Sequence, residues 1–170
     1  MNPDIGAPAG TGPIPRAATP DDAAEIARLR SECILSEPLD ATWLAICRDQ
    51  IATRLGSGAD ARAYVVDAPA GGLASCALAF IHPVLPAPSY PRGLAARIHA
   101  VATEPAHRRQ GLARAALAAL LKHLEEDGVT LYELHASESA VPLYEQLGFR
   151  RDAALMRMTK VRSVPETAAS

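Results

Sequence analysis

Between Val101 and Arg114 the chain reads V-A-T-E-P-A-H-R-R-Q-G-L-A-R. An apolar alternation stops at Glu104-Pro105, a short basic loop follows, and Gly111 opens a run of helix-forming residues. The start of a helix carries N–H groups without intrahelical partners and about half a positive charge, so it attracts anions. Gly111 would let a bulky phosphate approach the backbone, and Arg108, Arg109 and Arg114 add charge. A basic helix start on a solvated surface would have the same composition. The run is neither a G-x-x-x-x-G-K-[ST] phosphate loop nor the G-x-G-x-x-G of a dinucleotide fold. His82, His107 and His123 show no metal-ligand spacing, and no metal is expected.

The elements that must position this loop follow from periodicity and turn residues. Residues 14–18 suit a short edge strand because of their prolines. Thr19-Pro20-Asp21-Asp22 is a helix start, with Ile26, Leu29, Cys33 and Ile34 on one face. A second helix is expected from Asp40 to about Leu55, with Trp43, Leu44, Ile46, Cys47 and Ile51 available for its buried side. Trp43, the only tryptophan, reads as core of that helix or as a substrate wall. Residues 62–67 and 73–82 are strands joined by a glycine-rich hairpin turn. The proline-rich stretch 83–93 is a loop, either a stiff connection or, with Tyr90 and Arg92 as contacts, one wall of a binding site. Strand 96–103, helix 111–126, strand 129–136, helix 139–147 and a final hairpin or bent strand over 149–158 complete a βααβββαβαβ order. That order predicts an α/β (α+β) fold: a mixed, mostly antiparallel central sheet with helices on both faces.

At 170 residues the chain is about one domain's worth. Residues 1–13 read as a flexible leader, 14–160 as the domain and 161–170 as a flexible tail. The net charge of −2 argues against a basic nucleic-acid footprint, and only 4% aromatic residues rules out a base-stacking platform. Cys33, Cys47 and Cys76 are scattered and odd in number, which points to a reducing, cytoplasmic compartment. No apolar run is long enough to span a membrane, and no membrane partner is expected.

Arg108, Gly111 and Ala113 fill the three defined places of an R/Q-x-x-G-x-G/A pattern. Downstream, Ser137 is followed by L-Y-E-Q-L-G-F over 143–149. Together these runs resemble the acetyl-CoA signature and the C-terminal signature of the GCN5-related N-acetyltransferase (GNAT) superfamily, at a distance that suits one helix plus one strand. The resemblance covers residues 14–159, the N-terminal half by pattern alone.

The resemblance implies that acetyl-CoA is the acyl donor. Its pantetheine arm would pair with main-chain groups of Val101 and Thr103, with Ala102 between them. Its pyrophosphate would lie on the amides of Arg109, Gln110, Gly111, Leu112, Ala113 and Arg114, within reach of Arg108. Ala113 stands where many members have Gly, and Ser137 where many have Asn. Tyr144 is implied as the acid that stabilises the departing thiolate, or as a ring packed over the cofactor. Glu104 is the first candidate base. His99 is the second, since H-A-V-A from His99 to Ala102 resembles the matching strand of serotonin N-acetyltransferases, although Arg97 stands where those enzymes carry another histidine. His135 is a third option. The expected reaction is direct acetyl transfer to a primary amine of a small molecule. The alternatives are a protein or peptide N-acetyltransferase and a non-catalytic acyl-CoA sensor. A homodimer would be in keeping with the family.

Overall fold

The computed structural model describes residues 13–58 and 60–160. The expected tail and nearly all of the expected leader lie outside the described residues. In chain order the elements are β1 (Arg16–Ala17), α1 (Ala23–Cys33), α2 (Ala41–Ser57), β2 (Ala61–Asp67), β3 (Leu73–Pro83), β4 (Leu94–Thr103), α3 (Leu112–Glu126), β5 (Leu131–Leu134) and α4 (Val141–Gln146).

Local chemistry sets the element ends. The Thr19 amide donates to the Asp22 carboxylate at 2.8 Å, closing a short 3-10 turn ahead of α1. The Asp40 carboxylate caps α2 by accepting the Trp43 amide at 2.9 Å. The β2–β3 hairpin closes through Ala68 N–H to Gly72 C=O at 2.9 Å, and the left-handed φ of Gly71 and Gly72 suits the turn.

One five-stranded sheet runs in the order β1-β2-β3-β4-β5. Its first four strands are antiparallel, and β5 joins β4 in parallel. Helices cover both faces, so the mixed α+β sheet expected from the sequence is the fold observed. Ile26 and Leu29 of α1 and Ile51 of α2 pack one face with Val65, Cys76, Leu78, Ala100 and Ala102. Leu117, Leu120 and Leu124 of α3 and Tyr144 of α4 pack the other with Ala77, Ala79, Ala96 and Ile98.

Three expectations need correction. The segment 149–158 forms no strand: the chain turns at Asp152, whose carboxylate accepts the Ala154 amide at 2.8 Å, and Arg151 pairs with Glu138 at 2.9 Å. A backbone closed on itself in this way cannot extend along β5. Trp43 is 58% exposed and is not core. Helix α2 buries the stripe Leu44, Cys47, Ile51 and Leu55, and Trp43 and Ile46 lie off that stripe. The first and fifth strands are also shorter than expected, at Arg16–Ala17 and Leu131–Leu134.

The burial contrast predicts unequal effects of truncation. Leu117→Ala removes a fully buried side chain and should destabilise the protein by about 2–5 kcal/mol, whereas Trp43→Ala should change stability by about 0.5 kcal/mol or less. Urea unfolding of both variants checks the contrast.

Candidate active site

Strands β4 and β5 pair only from Ala95↔Leu131 to Ile98↔Leu134. Beyond that point β4 runs on to Thr103, still paired with β3, while β5 ends. The chain after β5 turns away because the Ser137 carbonyl accepts the Ala140 and Val141 amides at 3.0 and 3.2 Å. A gap therefore opens beside His99 to Thr103. The Glu104 amide donates to the Ala74 carbonyl at 2.8 Å, so it points toward β3. Backbone direction alternates along a strand, which turns Ala102 toward β3 and the N–H and C=O groups of Val101 and Thr103 into the gap. Buried Ser75 reinforces the β3 side, donating to the Ala102 carbonyl at 2.8 Å and meeting the Thr103 hydroxyl at 3.0 Å.

A one-residue bulge sits at the mouth of the gap. Leu78 pairs with Ala100 and Ala79 with Ile98, so His99 is the extra residue of β4. The bulge switches the faces of the strand. Ala96 and Ile98 face α3, whereas Ala100 and Ala102 face α1. His99 lies on the α1/α2 face, with its ring 4.9 Å from that of Phe80, and the Arg54 guanidinium sits 5.1 Å over the same phenyl ring. Burial, then the charges of Arg97, Arg30, His82 and Arg54, hold the His99 imidazole below the usual histidine pKa.

The loop expected to hold an anion lies at the far end of the gap. Arg109 and Gly111 both have left-handed φ, +62° and +74°, and coil the loop ahead of α3. The first helical bond there runs from the Ala115 amide to the Gly111 carbonyl, at 3.0 Å. The amides of Leu112, Ala113 and Arg114 therefore have no helix carbonyl to donate to. A Cβ added at Gly111 would meet nothing within 4 Å, so a large group can come up to this backbone. No acidic side chain lies in the first turn, and the Arg108 Nε reaches the Thr103 carbonyl at 3.4 Å, at the far end of the gap. The open cradle, the free amides and the arginines fit a diphosphate.

Tyr144 lies on the α3/α4 side, 9% exposed, with its ring edge-to-face on Phe149 at 5.9 Å. Burial pushes its phenol above the usual tyrosine value. Arg114 of α3 bonds the Gln146 side chain of α4, tying the helix of the anion site to the helix that carries the phenol. Ser137 is exposed where β5 gives way to the α4 turn, its hydroxyl 3.2 Å from that of Ser139.

The remaining candidates are placed less directly. Glu104 follows β4 immediately, but its carboxylate meets the Arg28 guanidinium at 2.8 Å, and Arg28 also holds Glu25 and Glu32, each at 2.9 Å. His135 stands one residue past β5, where Arg97 and Arg157 both direct guanidinium N–H groups at its Nε2. The loop between β3 and β4 is anchored at the other end of β4: Arg92 donates to the Asp127 carbonyl at 3.2 Å and Thr130 to the Ser89 carbonyl at 2.7 Å. Tyr90 and Arg92 are thus held at the α3–β5 turn, away from the gap.

Sequence reasoning missed the bulge, the Phe80 ring against His99 and the meeting of Arg97, His135 and Arg157.

Comparison with known proteins gives a consistent picture. The family model for the acetyltransferase (GNAT) family matches residues 25–149. No curated protein matches the chain. A GCN5-related N-acetyltransferase of Ralstonia eutropha JMP134 is 24% identical, with 87% of this chain and 99% of that one covered and a TM-score of 0.71. An acetyltransferase of Clostridium acetobutylicum, solved with acetyl-CoA, is 18% identical over 85% of this chain and 94% of its own, with a TM-score of 0.74. Glucosamine-6-phosphate N-acetyltransferase of Arabidopsis thaliana is 17% identical over 88% and 97%, with a TM-score of 0.65. Since the family match runs from α1 through α4 and takes in the gap and both of its ends, the chain belongs to the GNAT family and is an acetyl-CoA-dependent acetyltransferase.

Proposed function

We propose that the protein acetylates a primary amine of a small molecule by direct attack. The observation that carries this reading is the placement of two proton-handling groups on opposite faces of the sheet, at a gap that opens between them. His99 lies on the α1/α2 face and Tyr144 on the α3/α4 face. The Arabidopsis neighbour, an acetyltransferase named for a small amino sugar, is in keeping with it.

Bound acetyl-CoA supplies the acetyl group as an activated thioester. The amides of α3 and Arg108, Arg109 and Arg114 hold its diphosphate, the main-chain groups of Val101 and Thr103 take its arm as an added strand, and Ser137 lies at the β5 side of that arm. An alkylamine with a pKa near 10.4 is mostly protonated at neutral pH, so losing its proton costs roughly 4–5 kcal/mol. His99 is the group to accept it: burial and the nearby positive charges favour its neutral imidazole, and it stands next to the gap. Glu104 is occupied by Arg28 and serves better to fix the end of β4. On the other face the Tyr144 phenol donates to sulfur as negative charge grows there. Full proton transfer from an ordinary tyrosine to a thiolate is uphill by ~2 kcal/mol, so a strengthening hydrogen bond is the role that fits. A sensor without turnover would need neither group.

Three outcomes follow. Gly111→Val puts a branched side chain into the cradle at a left-handed φ, and calorimetry should show the Kd for acetyl-CoA rising about tenfold or more. Tyr144→Phe should lower kcat in a thiol-release assay by about 10²-fold, with acetyl-CoA affinity kept; undiminished release would remove the acid role. The third concerns pH. Because the His99 pKa is depressed, kcat/KM should hold through neutral pH and fall only below the ordinary histidine range, and His99→Gln should abolish that limb.

A further inference from the structure

We infer that the α1/α2 face beside the gap is an anion-binding shelf, and that the amine acetylated there carries its own carboxylate or phosphate. This rests on the small-molecule reading above and specifies its substrate class.

Register places the shelf. Arg97 pairs with Phe80 across β3–β4 and with Glu133 across β4–β5, and neighbours paired in this way share a face. Phe80 belongs with the α1/α2 core, so Arg97, the His99 ring tilted against Phe80, and His135 two residues beyond Glu133 all lie on that face. Arg157 of the C-terminal segment comes to the same place, because it and Arg97 converge on the single Nε2 of His135.

Two guanidinium groups meeting at one imidazole nitrogen is an unbalanced arrangement. The imidazole nitrogen has one lone pair and, when it accepts, no charge to offset two cations. Arg92, Arg108 and Arg114 donate to neutral oxygens, and Arg16, Arg28, Arg48, Arg54, Arg62 and Arg151 each meet a carboxylate. Among the described residues Arg97, Arg157 and Arg30 meet none, and Glu133 forms no ion pair with Arg97 although it is the register partner. The charges of Arg97 and Arg157, after burial, depress the pKa of His135, and Arg97 and Arg30 act on His99 in the same direction, which marks the field at both rings as positive.

A forked guanidinium pair is shaped for the two oxygens of a carboxylate or phosphate. A simple ammonium would be repelled from such a shelf. A zwitterionic amine would dock its anion on Arg97 and Arg157, and the same field would favour the neutral, nucleophilic form of its amine next to His99.

The test uses the full chain saturated with acetyl-CoA and two matched pairs at constant ionic strength: phosphoethanolamine with ethanolamine, and 4-aminobutyrate with butylamine. The His135 and His99 ring resonances are followed by NMR, and thiol release in parallel. The anionic-group-bearing member of at least one pair should shift His135 saturably while its partner lacking that group does not, and which pair responds separates phosphate from carboxylate. Arg97→Gln and Arg157→Gln should each weaken that response about tenfold or more while leaving acetyl-CoA affinity intact. Arg157 lies outside the sheet, so its variant remains informative if Arg97→Gln fails to fold. No saturable shift, equal shifts from the partners that lack the anionic group, or variants that bind like the parent would overturn the shelf. Thiol release with ethanolamine or butylamine alone overturns the shelf and keeps the small-molecule reading. A His135 response with no thiol release from any small amine supports the shelf and overturns that reading instead.

Discussion

A strand that loses its neighbour must find other partners for its backbone, and in this protein β4 is left in that position from His99 to Thr103. Two opposing anchors hold it there. On one side β3 pairs along β4 as far as Thr103, with Ser75 and the Glu104–Ala74 bond securing the end and Arg28 gripping the Glu104 carboxylate. On the other side the Ser137 carbonyl caps the turn into α4 and draws the chain off the sheet after Leu134. If either anchor were weaker, β5 could zip along β4 and close the gap. The unpaired edge leaves the outward main-chain groups of Val101 and Thr103 open to an added strand, and the chain continues from it into the loop ahead of α3.

The bulge at His99 adds a second consequence to the same strand. One inserted residue changes which side chains meet which helices, so Ile98 packs beneath α3 while Ala100 packs beneath α1. The strand thus carries an imidazole to one face at the point where the gap gives access to the other, on which Tyr144 lies. Without the extra residue, the apolar positions before and after it would share a face, and one of the two cores would lose its residues.

The parts of this arrangement written in local sequence were legible beforehand. Gly111 and its arginines, the hairpin at Gly71-Gly72 and the apolar stripe of α3 depend on neighbours a few residues away, and the structure has each where spacing placed it. What depends on distant partners was not legible. The bulge exists only relative to the β3 register. The exposure of Trp43 depends on which stripe of α2 meets the sheet. The segment 149–158 is apolar enough for a strand, yet Asp152 turns it and Glu138 holds Arg151. The convergence of Arg97 and Arg157 on His135 joins residues far apart in the chain, and no spacing rule reveals it.

The scarcity of aromatic residues makes their placement informative. The chain has two phenylalanines, and neither fills the centre of a core. Phe80 lies under the His99 ring and Phe149 against the Tyr144 ring, one on each face of the sheet. The packing they might have supplied comes instead from small residues in β3 and β4, among them Ala74, Ala77, Ala79, Ala95, Ala96, Ala100 and Ala102, all buried. Alanines allow helices to approach a sheet closely but orient nothing, whereas an aromatic neighbour restricts the angle of the ring beside it. The interior is filled largely by small residues, and the two phenylalanine rings lie instead against His99 and Tyr144.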